Sequence, residues 1–238
     1  MLTKMDIQKL VDECRVAGEH GLGNGCKATI QELEVVFLAP PSDFLGVGSN
    51  PAIFINHRTY SLLGKFHKNW AADKTIAVKE NFLDNEPIKV IGIIVHETGH
   101  AFNVAANIPN SEANAYIFEI EVMSIWFKMK NPLLLNCSEA NLHSFFQSRL
   151  AYYRMETENN EYLAQLVMAV EKNTIFESMS PKPLELKKTP SPRFVVQTPK
   201  LADLHPCAFF KHSPAFLKKI SAQEALMASG SLEPPCEK

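Results

Sequence analysis

The spacing of apolar positions changes along the chain. Residues 7–16 carry apolar side chains at helical spacing, which predicts a first helix that ends in the glycine-rich segment 20–25. Three short runs follow at 32–38, 52–56 and 75–78, and each has the length and composition of a strand. The N-terminal part therefore predicts a helix followed by a small sheet.

Helical spacing dominates the chain beyond the last predicted strand. Asp84-Asn85-Glu86-Pro87 is a helix-start signal, and the pattern predicts a helix over 86–106. A second helix is predicted from 111 to about 130, and the segment 138–173 reads as two helices divided near 157–160. Strands that come first and helices that follow predict an α+β fold.

The composition changes again near residue 174. Nine of the fifteen prolines lie between Pro181 and Pro235, among Ser, Thr and Lys. We therefore expect one folded domain over 1–173 and a Pro-rich tail or linker over 174–238. The tail is expected to be disordered, or to dock through short apolar patches such as 194–196 and 208–210.

Charge and cysteine content exclude several classes of partner. The 24 basic and 26 acidic residues give a net charge of -2, so neither nucleic acid nor an anionic membrane is an expected partner. The five scattered cysteines indicate reduced thiols and a cytosolic location. We find neither a signal peptide nor an apolar run that could span a membrane, so export would need a non-cleaved signal. No pattern specifies an oligomeric state.

One motif carries chemistry. His96-Glu97-Thr98-Gly99-His100 is an HExxH sequence inside the predicted helix 86–106. Two histidines four residues apart project from one helix face and can share one zinc ion. Glu97 lies beside them, where it can take a proton from a water molecule that attacks a polarised carbonyl. The sequence therefore predicts a zinc peptidase with Glu97 as the general base.

The third metal ligand must come from outside this motif. The extended metzincin motif needs Gly at 103 and His at 106, but this chain has Asn103 and Ala106. An aspartate ligand is excluded as well, because no Asp occurs between Asp84 and Asp203. The remaining choice is a glutamate from the next predicted helix.

Two glutamates of that helix are candidates, Glu112 and Glu119, whereas His143 and Cys137 lie farther along the chain. Counting about 1.5 Å of rise per residue down one helix and up the next favours a residue near Glu119. The Ser-Glu-Ala-Asn sequence that contains Glu112 recurs at 138–141, which indicates that it can serve simply as a helix start. Both candidates stay open at this stage, with Glu112 preferred.

The segment 112–123, together with HETGH, resembles the small HExxH peptidases related to the ImmA/IrrE family. Glu119, by contrast, has the HExxH-x18-E spacing of aminopeptidase-like gluzincins. These resemblances imply a zincin-like fold: a small N-terminal sheet, an HExxH active-site helix and a mainly helical C-terminal lobe. The ImmA/IrrE resemblance implies Zn²⁺ held by His96, His100 and Glu112, with Glu119 as an outer partner.

The chain is also similar in size and organisation to effector proteases that bacteria inject into host cells, including actin-cleaving ones. That resemblance implies an endopeptidase whose substrate is a host protein. Candidates to stabilise the oxyanion are Tyr152, Tyr153, His57 and Tyr60, with Arg154 next to the tyrosine pair.

Two alternatives come from other functional classes. The first is a metal-binding regulatory or interaction module on a gluzincin fold that has no turnover. The second is a deformylase-like zinc amidase, which would need an upstream cysteine ligand such as Cys26. In the peptidase interpretation, an extended substrate is expected to pair with the edge of strand 52–56.

Overall fold

A computed structural model describes residues 2–40 and 50–178 of the chain. In chain order the elements are α1 (Lys4–His20), β1 (Glu34–Leu38), β2 (Ala52–Phe54), α2 (His57–Leu63), β3 (Thr75–Lys79), α3 (Pro87–Ala105), α4 (Glu112–Lys128), α5 (Glu139–Met155), α6 (Glu161–Glu171) and α7 (Ile175–Ser178). Short 3-10 helices occur at Gly64–Phe66, Glu80–Asp84 and Pro132–Leu134. The predicted α+β class is confirmed, with helices making up most of the described structure.

The three strands form one sheet in the order β1-β3-β2. The central strand β3 pairs in parallel with β1 and antiparallel with β2. Four of its five residues are buried, as expected for a strand covered on both faces. Strand β2 lies at one edge of this sheet, so one side of its backbone faces away from β3.

The predicted elements occur where the pattern places them, with shifted boundaries. β2 ends at Phe54, before the predicted end at residue 56, because Asn56 caps α2 by accepting a hydrogen bond from Thr59 N. The sequence did not predict α2. Only Thr59 and Leu63 of this helix are buried, so its apolar pattern is too short to indicate a helix.

The longest helix, α3, forms the centre of the main core. Val90, Ile94, Val95 and Phe102 on this helix are fully buried. They belong to one apolar cluster that also includes buried side chains of α1, α4, α5 and α6 and residues from the sheet. A second, smaller cluster covers the other sheet face and includes Leu63 of α2. The sheet therefore lies between α2 and the helical lobe.

α3 and α4 are in close contact at Gly99. A Cβ atom built there would lie 3.1 Å from both Ala115 O and Phe118 Cβ. Because these are backbone and near-backbone atoms of α4, a larger residue could fit only if the two helices moved apart. Gly99 thus sets the distance between the helix of the HETGH sequence and the next one.

The C-terminal part of the described chain continues past the predicted domain end at residue 173. α7 follows α6, and Ile175 is fully buried in the main core. The rest of the predicted tail, 179–238, with the patches at 194–196 and 208–210, lies outside the described residues.

None of the described helices is both long enough and apolar enough to cross a bilayer. In the same part of the chain, Cys14, Cys26 and Cys137 are free thiols.

A buried carboxylate links the glycine-rich segment to the helical lobe. Glu121 on α4 is fully buried and accepts a hydrogen bond from Gly23 N at 2.7 Å and another from the Tyr162 hydroxyl. Burial raises the pKa of Glu121 above its ordinary value, although both hydrogen bonds oppose this effect. The ionised form is therefore less favourable in the folded protein than in the unfolded chain.

The raised pKa of Glu121 predicts that two substitutions have opposite effects on stability. The contribution of Glu121 to stability is highest below its unfolded pKa and falls as the pH rises through its folded pKa. Glu121→Gln keeps an acceptor and removes the buried charge, so we expect it to be at least as stable as wild type at pH 7. Glu121→Ala leaves the Gly23 amide and the Tyr162 hydroxyl unpaired, at a cost of about 1–3 kcal/mol for each group.

Urea unfolding of the full chain at pH 5 and pH 7 measures both effects. A Gln variant that loses stability relative to wild type as the pH rises would contradict the assignment.

Candidate metal centre

The two histidines of the HETGH sequence lie on the same face of α3. His96 and His100 are one helical turn apart, and their ring centroids are separated by 5.0 Å with the rings nearly perpendicular. Both are buried on an otherwise apolar helix. Burying two imidazoles in this way is costly unless each ring nitrogen has a partner.

A tight turn brings the start of α4 back to the level of these histidines. Ile108 N donates to Asn103 O, and the Asn103 side-chain amide donates to Ser111 O at 3.4 Å. Ser111 then caps α4 by accepting a hydrogen bond from Asn114 N. Glu112, the first residue of α4, is therefore placed next to the C-terminal half of α3.

Glu112 faces the Nε2 atoms of both histidines. Its Oε2 lies 3.1 Å from His96 Nε2, and its Oε1 lies 3.4 Å from His100 Nε2. One donor atom from each of the three side chains lies within 4.8 Å of the other two, and all three residues are buried. Among the described residues, this His-His-Glu group is the one that could hold a metal ion.

The distances in the group fit a small cation. Zinc bonds of about 2.0–2.1 Å in tetrahedral geometry place neighbouring ligand atoms about 3.3 Å apart. The separations of 3.1 Å from His96 Nε2 to Glu112 Oε2 and 3.4 Å from His100 Nε2 to Glu112 Oε1 are close to that value, although they end on different carboxylate oxygens. The three side chains could therefore bind an ion with only small adjustments.

The other nitrogen of each imidazole has its own acceptor. His100 Nδ1 lies 2.8 Å from Asn110 Oδ1, and His96 Nδ1 lies 3.1 Å from Glu119 Oε2, although off the ideal hydrogen-bond direction. Acceptors at Nδ1 favour the tautomer with its lone pair on Nε2, which is the tautomer that a metal requires. Glu112 and Glu119 thus approach His96 from opposite sides of its ring.

Glu119 is fully buried in a network of hydrogen-bond donors. Arg149 Nε lies 2.7 Å from its Oε1 and Arg149 Nη2 donates to Oε2 at 3.0 Å, while the Tyr153 hydroxyl donates to Oε1 at 2.7 Å. Burial alone would raise the pKa of Glu119, but Arg149 and His96 lower it below its ordinary value. Glu119 therefore stays ionised beside His96.

The carboxylates make the centre attractive to cations. Burial alone would lower the pKa of His96, but Glu112 and Glu119 raise it to about 9. Burial likewise opposes ionisation of Glu112, yet the neighbouring His100 and His96 hold its pKa well below the ordinary value. The electrostatic field that stabilises a proton on His96 would also stabilise a divalent cation at the Nε2 atoms.

Glu97 projects between the His-His-Glu group and the sheet. Its Oε2 accepts a hydrogen bond from Phe54 N on β2 at 2.7 Å. Ile55 N donates to Thr75 O of β3, so the amide of Phe54 is on the opposite, free side of the edge strand. Burial raises the pKa of Glu97, although His100 and His96 act in the opposite direction.

These groups line a cavity of about 270 Å³. β2 and the residues beside it form one wall, and side chains of α3, α4 and α5 form the others. The lining residues are Asn50, Pro51, Ala52, Ile53, Phe54, Asn56, Thr59, Ile93, His96, Glu97, His100, Glu112, Tyr116, Arg149 and Tyr152. A substrate in this cavity would contact both Glu97 and the His-His-Glu group.

The four candidates for an oxyanion donor have different surroundings in the structure. Tyr152 lines the cavity and is half exposed. Tyr153, by contrast, is fully buried and its hydroxyl is bound to Glu119. His57 pairs with Asp73 at the surface at 3.0 Å, and Tyr60 is exposed on α2.

The remaining sequence candidates have other surroundings. Arg154 pairs with Glu171 at 2.8 Å on the exposed side of α5. His143 Nε2 lies 3.3 Å from Val170 O, and Cys137 lines a different cavity near the N-terminal ends of α3 and α5. Cys26, the thiol of the amidase alternative, is outside the His-His-Glu group.

Sequence reasoning missed four residues of the site, namely Asn110, Tyr116, Arg149 and the backbone amide of Phe54. Tyr116 is one helical turn after Glu112, so the predicted helix already placed Tyr116 on the same helix face as Glu112. Nothing in the local pattern marks the other three, since they reach the site through tertiary packing or a turn.

Gly99→Ala tests how the centre depends on helix spacing. The added methyl group would push α4 away from α3, so we expect affinity for Zn²⁺ or Co²⁺ to fall by about 10-fold or more. Ala105→Gly, on the exposed end of the same helix, costs about 1 kcal/mol of helix stability without touching α4. An unchanged affinity in a folded Gly99→Ala variant would contradict the prediction.

The two glutamates should differ in their effect on metal binding. Glu119→Gln removes an outer partner of His96, and we expect a 10- to 100-fold loss of affinity, roughly the range measured for such partners. Glu112→Gln removes a ligand atom and should cost more. Competition with a chelator of known zinc affinity measures both losses, and near-wild-type affinity in both variants would reject the arrangement.

The chain was compared with known proteins at three levels. It matches no protein-family model, and neither the curated proteins nor the solved structures contain a significant match. The function must therefore be argued from the geometry of this site.

Proposed function

We propose that the protein is a zinc-dependent endopeptidase with a zincin-like, gluzincin-type site. The observation that carries the proposal is the position of Glu97. It shares a cavity with a buried His-His-Glu group but is not one of the three clustered residues. Two histidines and a glutamate are the ligand set of several zinc peptidases, and they leave a fourth coordination position for water or substrate.

His96, His100 and Glu112 would hold the ion. When bound, zinc would polarise a substrate carbonyl and lower the pKa of a bound water molecule toward neutral pH. Imidazole and carboxylate donors suit Zn²⁺ among other metals, and one donor atom from each of the three residues lies within 4.8 Å of the other two.

Glu97 would handle the protons of the reaction. Its carboxylate takes a proton from the attacking water and passes it to the amine that leaves when the peptide bond breaks. The amide of Phe54 holds Oε2, which leaves Oε1 to receive the proton. The pKa of Glu97 is raised toward neutral pH, and a group that both accepts and donates a proton works best when its pKa is near the working pH.

The remaining cavity walls suit a peptide. β2 offers an edge along which an extended substrate could pair, as the sequence predicts. Tyr152 and Tyr116 line the same cavity, so their hydroxyl groups are available to donate to the carbonyl oxygen as its charge develops.

Glu97→Gln tests the proposal most directly. The variant keeps the shape of the side chain but cannot take up the proton, so we expect zinc content to stay near one per chain and activity to fall by about 10²–10⁴-fold. Cleavage of a protein mixture that includes actin, analysed by mass spectrometry, measures the activity. Actin is included because of the resemblance to effector proteases.

Glu139→Gln, on the exposed start of α5, provides a matched control that should retain activity. Zinc binding without cleavage in the wild type would favour the non-catalytic metal-binding module instead. Equal cleavage by wild type and Glu97→Gln would remove Glu97 as the base.

A further inference from the structure

Arg149 introduces a positive charge into the cavity. It is the one Lys or Arg among the described residues that line the cavity, and 13% of its side chain is exposed. It lies on α5, and the α3 residue Glu97 lines the same cavity. The proposed peptidase chemistry does not use Arg149.

One edge of the Arg149 guanidinium group contacts Glu119, and another edge does not. Its Nε and Nη2 atoms engage the two oxygens of Glu119 side-on. The two contacts with Glu119 use Nε and Nη2, and the guanidinium also interacts with the Tyr153 side chain. The side-on pairing therefore leaves the N–H groups of Nη1 available to a ligand.

Aromatic rings fix the orientation of this group. The guanidinium carbon lies 5.5 Å from the centroid of the Tyr116 ring, 5.8 Å from those of Phe145 and Tyr153, and 6.0 Å from that of Tyr152. Contacts at these distances are favourable and restrict the orientation of the guanidinium plane. Arg149 is thus preorganised before a substrate arrives.

The charge of Arg149 is only partly balanced by its partner. Glu119 also accepts a hydrogen bond from Tyr153 and contacts His96, so its negative charge is divided among three donors. A neutral carbonyl needs one donor, and Tyr116 and Tyr152, which line the same cavity, carry hydroxyl groups of that kind. A partly buried guanidinium with free donors is better suited to an anion.

We propose that Arg149 binds a carboxylate of the substrate, on either an acidic side chain near the scissile bond or the C-terminal residue. This assignment rests on the proposed function, because it assumes a peptide held at the metal. It makes Arg149 a specificity-determining residue of the same site.

The distance to the metal limits where this carboxylate can be. The contacts from the ion through His96 and Glu119 to Arg149 place the guanidinium within about 10 Å of the ion. An extended peptide advances about 3.3–3.6 Å per residue. The carboxylate therefore belongs to a residue within roughly three positions of the scissile bond.

Hydroxamate probes test the assignment on the zinc-loaded full-length chain. Acetohydroxamate reports binding at the metal alone, whereas the monohydroxamates of succinate, glutarate and adipate add a carboxylate at increasing distance. For at least one chain length, we expect the carboxylate probe to bind about 10-fold or more tightly than the matching neutral amide. Equal affinities at all three lengths would overturn the proposal.

Variants identify the residue responsible. Arg149→Gln should abolish the preference for the carboxylate probe, while acetohydroxamate still binds once zinc is saturating. Arg154→Gln, a matched change on the exposed side of the same helix, should retain the preference. A preference that survives loss of Arg149 would assign the carboxylate to another group, and the wild-type comparison stands even if the Arg149 variant does not fold.

Two peptide series distinguish the sources of the carboxylate. One replaces an internal Glu by Gln, and the other replaces the C-terminal carboxylate by an amide, with binding measured by competition against the best probe. Loss of affinity in one series identifies the source, and loss in neither would reject a substrate carboxylate. Failure of acetohydroxamate itself to bind would instead overturn the proposed function, and this inference with it.

Discussion

The candidate site depends on the close approach of α3 and α4 at Gly99. Helices with ordinary side chains pack about 8–10 Å apart, and a residue without a Cβ allows the nearer end of that range. Here the backbone of Ala115 occupies the space that a side chain would fill. This proximity lets the short carboxylate of Glu112 reach two histidines on the neighbouring helix.

Bringing the helices together also concentrates ionisable groups in the core. Three buried glutamates, two histidines and an arginine would be costly to desolvate separately. The structure offsets part of this cost by charge pairing, because Glu119 is enclosed by His96, Arg149 and Tyr153. A divalent cation would complete the balance, since it would replace the proton that these carboxylates favour on His96.

The small sheet helps to position Glu97. Its edge strand places the Phe54 amide against Glu97 and forms the wall facing α4 and α5. Glu97 is thereby held from a direction independent of the packing between α3 and α4. Glu97 and this wall of the cavity would move together if β2 shifted, and in the proposed peptidase that would couple the base to the substrate.

The sequence by itself determined the α+β class, the main helices and the local part of the site. The spacing of His96, Glu97 and His100 specifies their relation on one helix, because helical geometry fixes neighbours three and four residues apart. The sequence also limited the candidates for the third metal ligand to Glu112 and Glu119. The count of helical rise and the ImmA/IrrE resemblance favoured different residues, and both glutamates do reach His96.

Only the tertiary structure decided which side of the imidazole each glutamate faces. The turn between Asn103 and Ser111 returns the chain to the level of His100, and no periodicity in the sequence encodes that return. Arg149 and Phe54 lie 30 and 43 residues in sequence from the glutamates they bind. Such contacts arise from packing among distant elements, whereas a sequence pattern reports only which face of an element is buried.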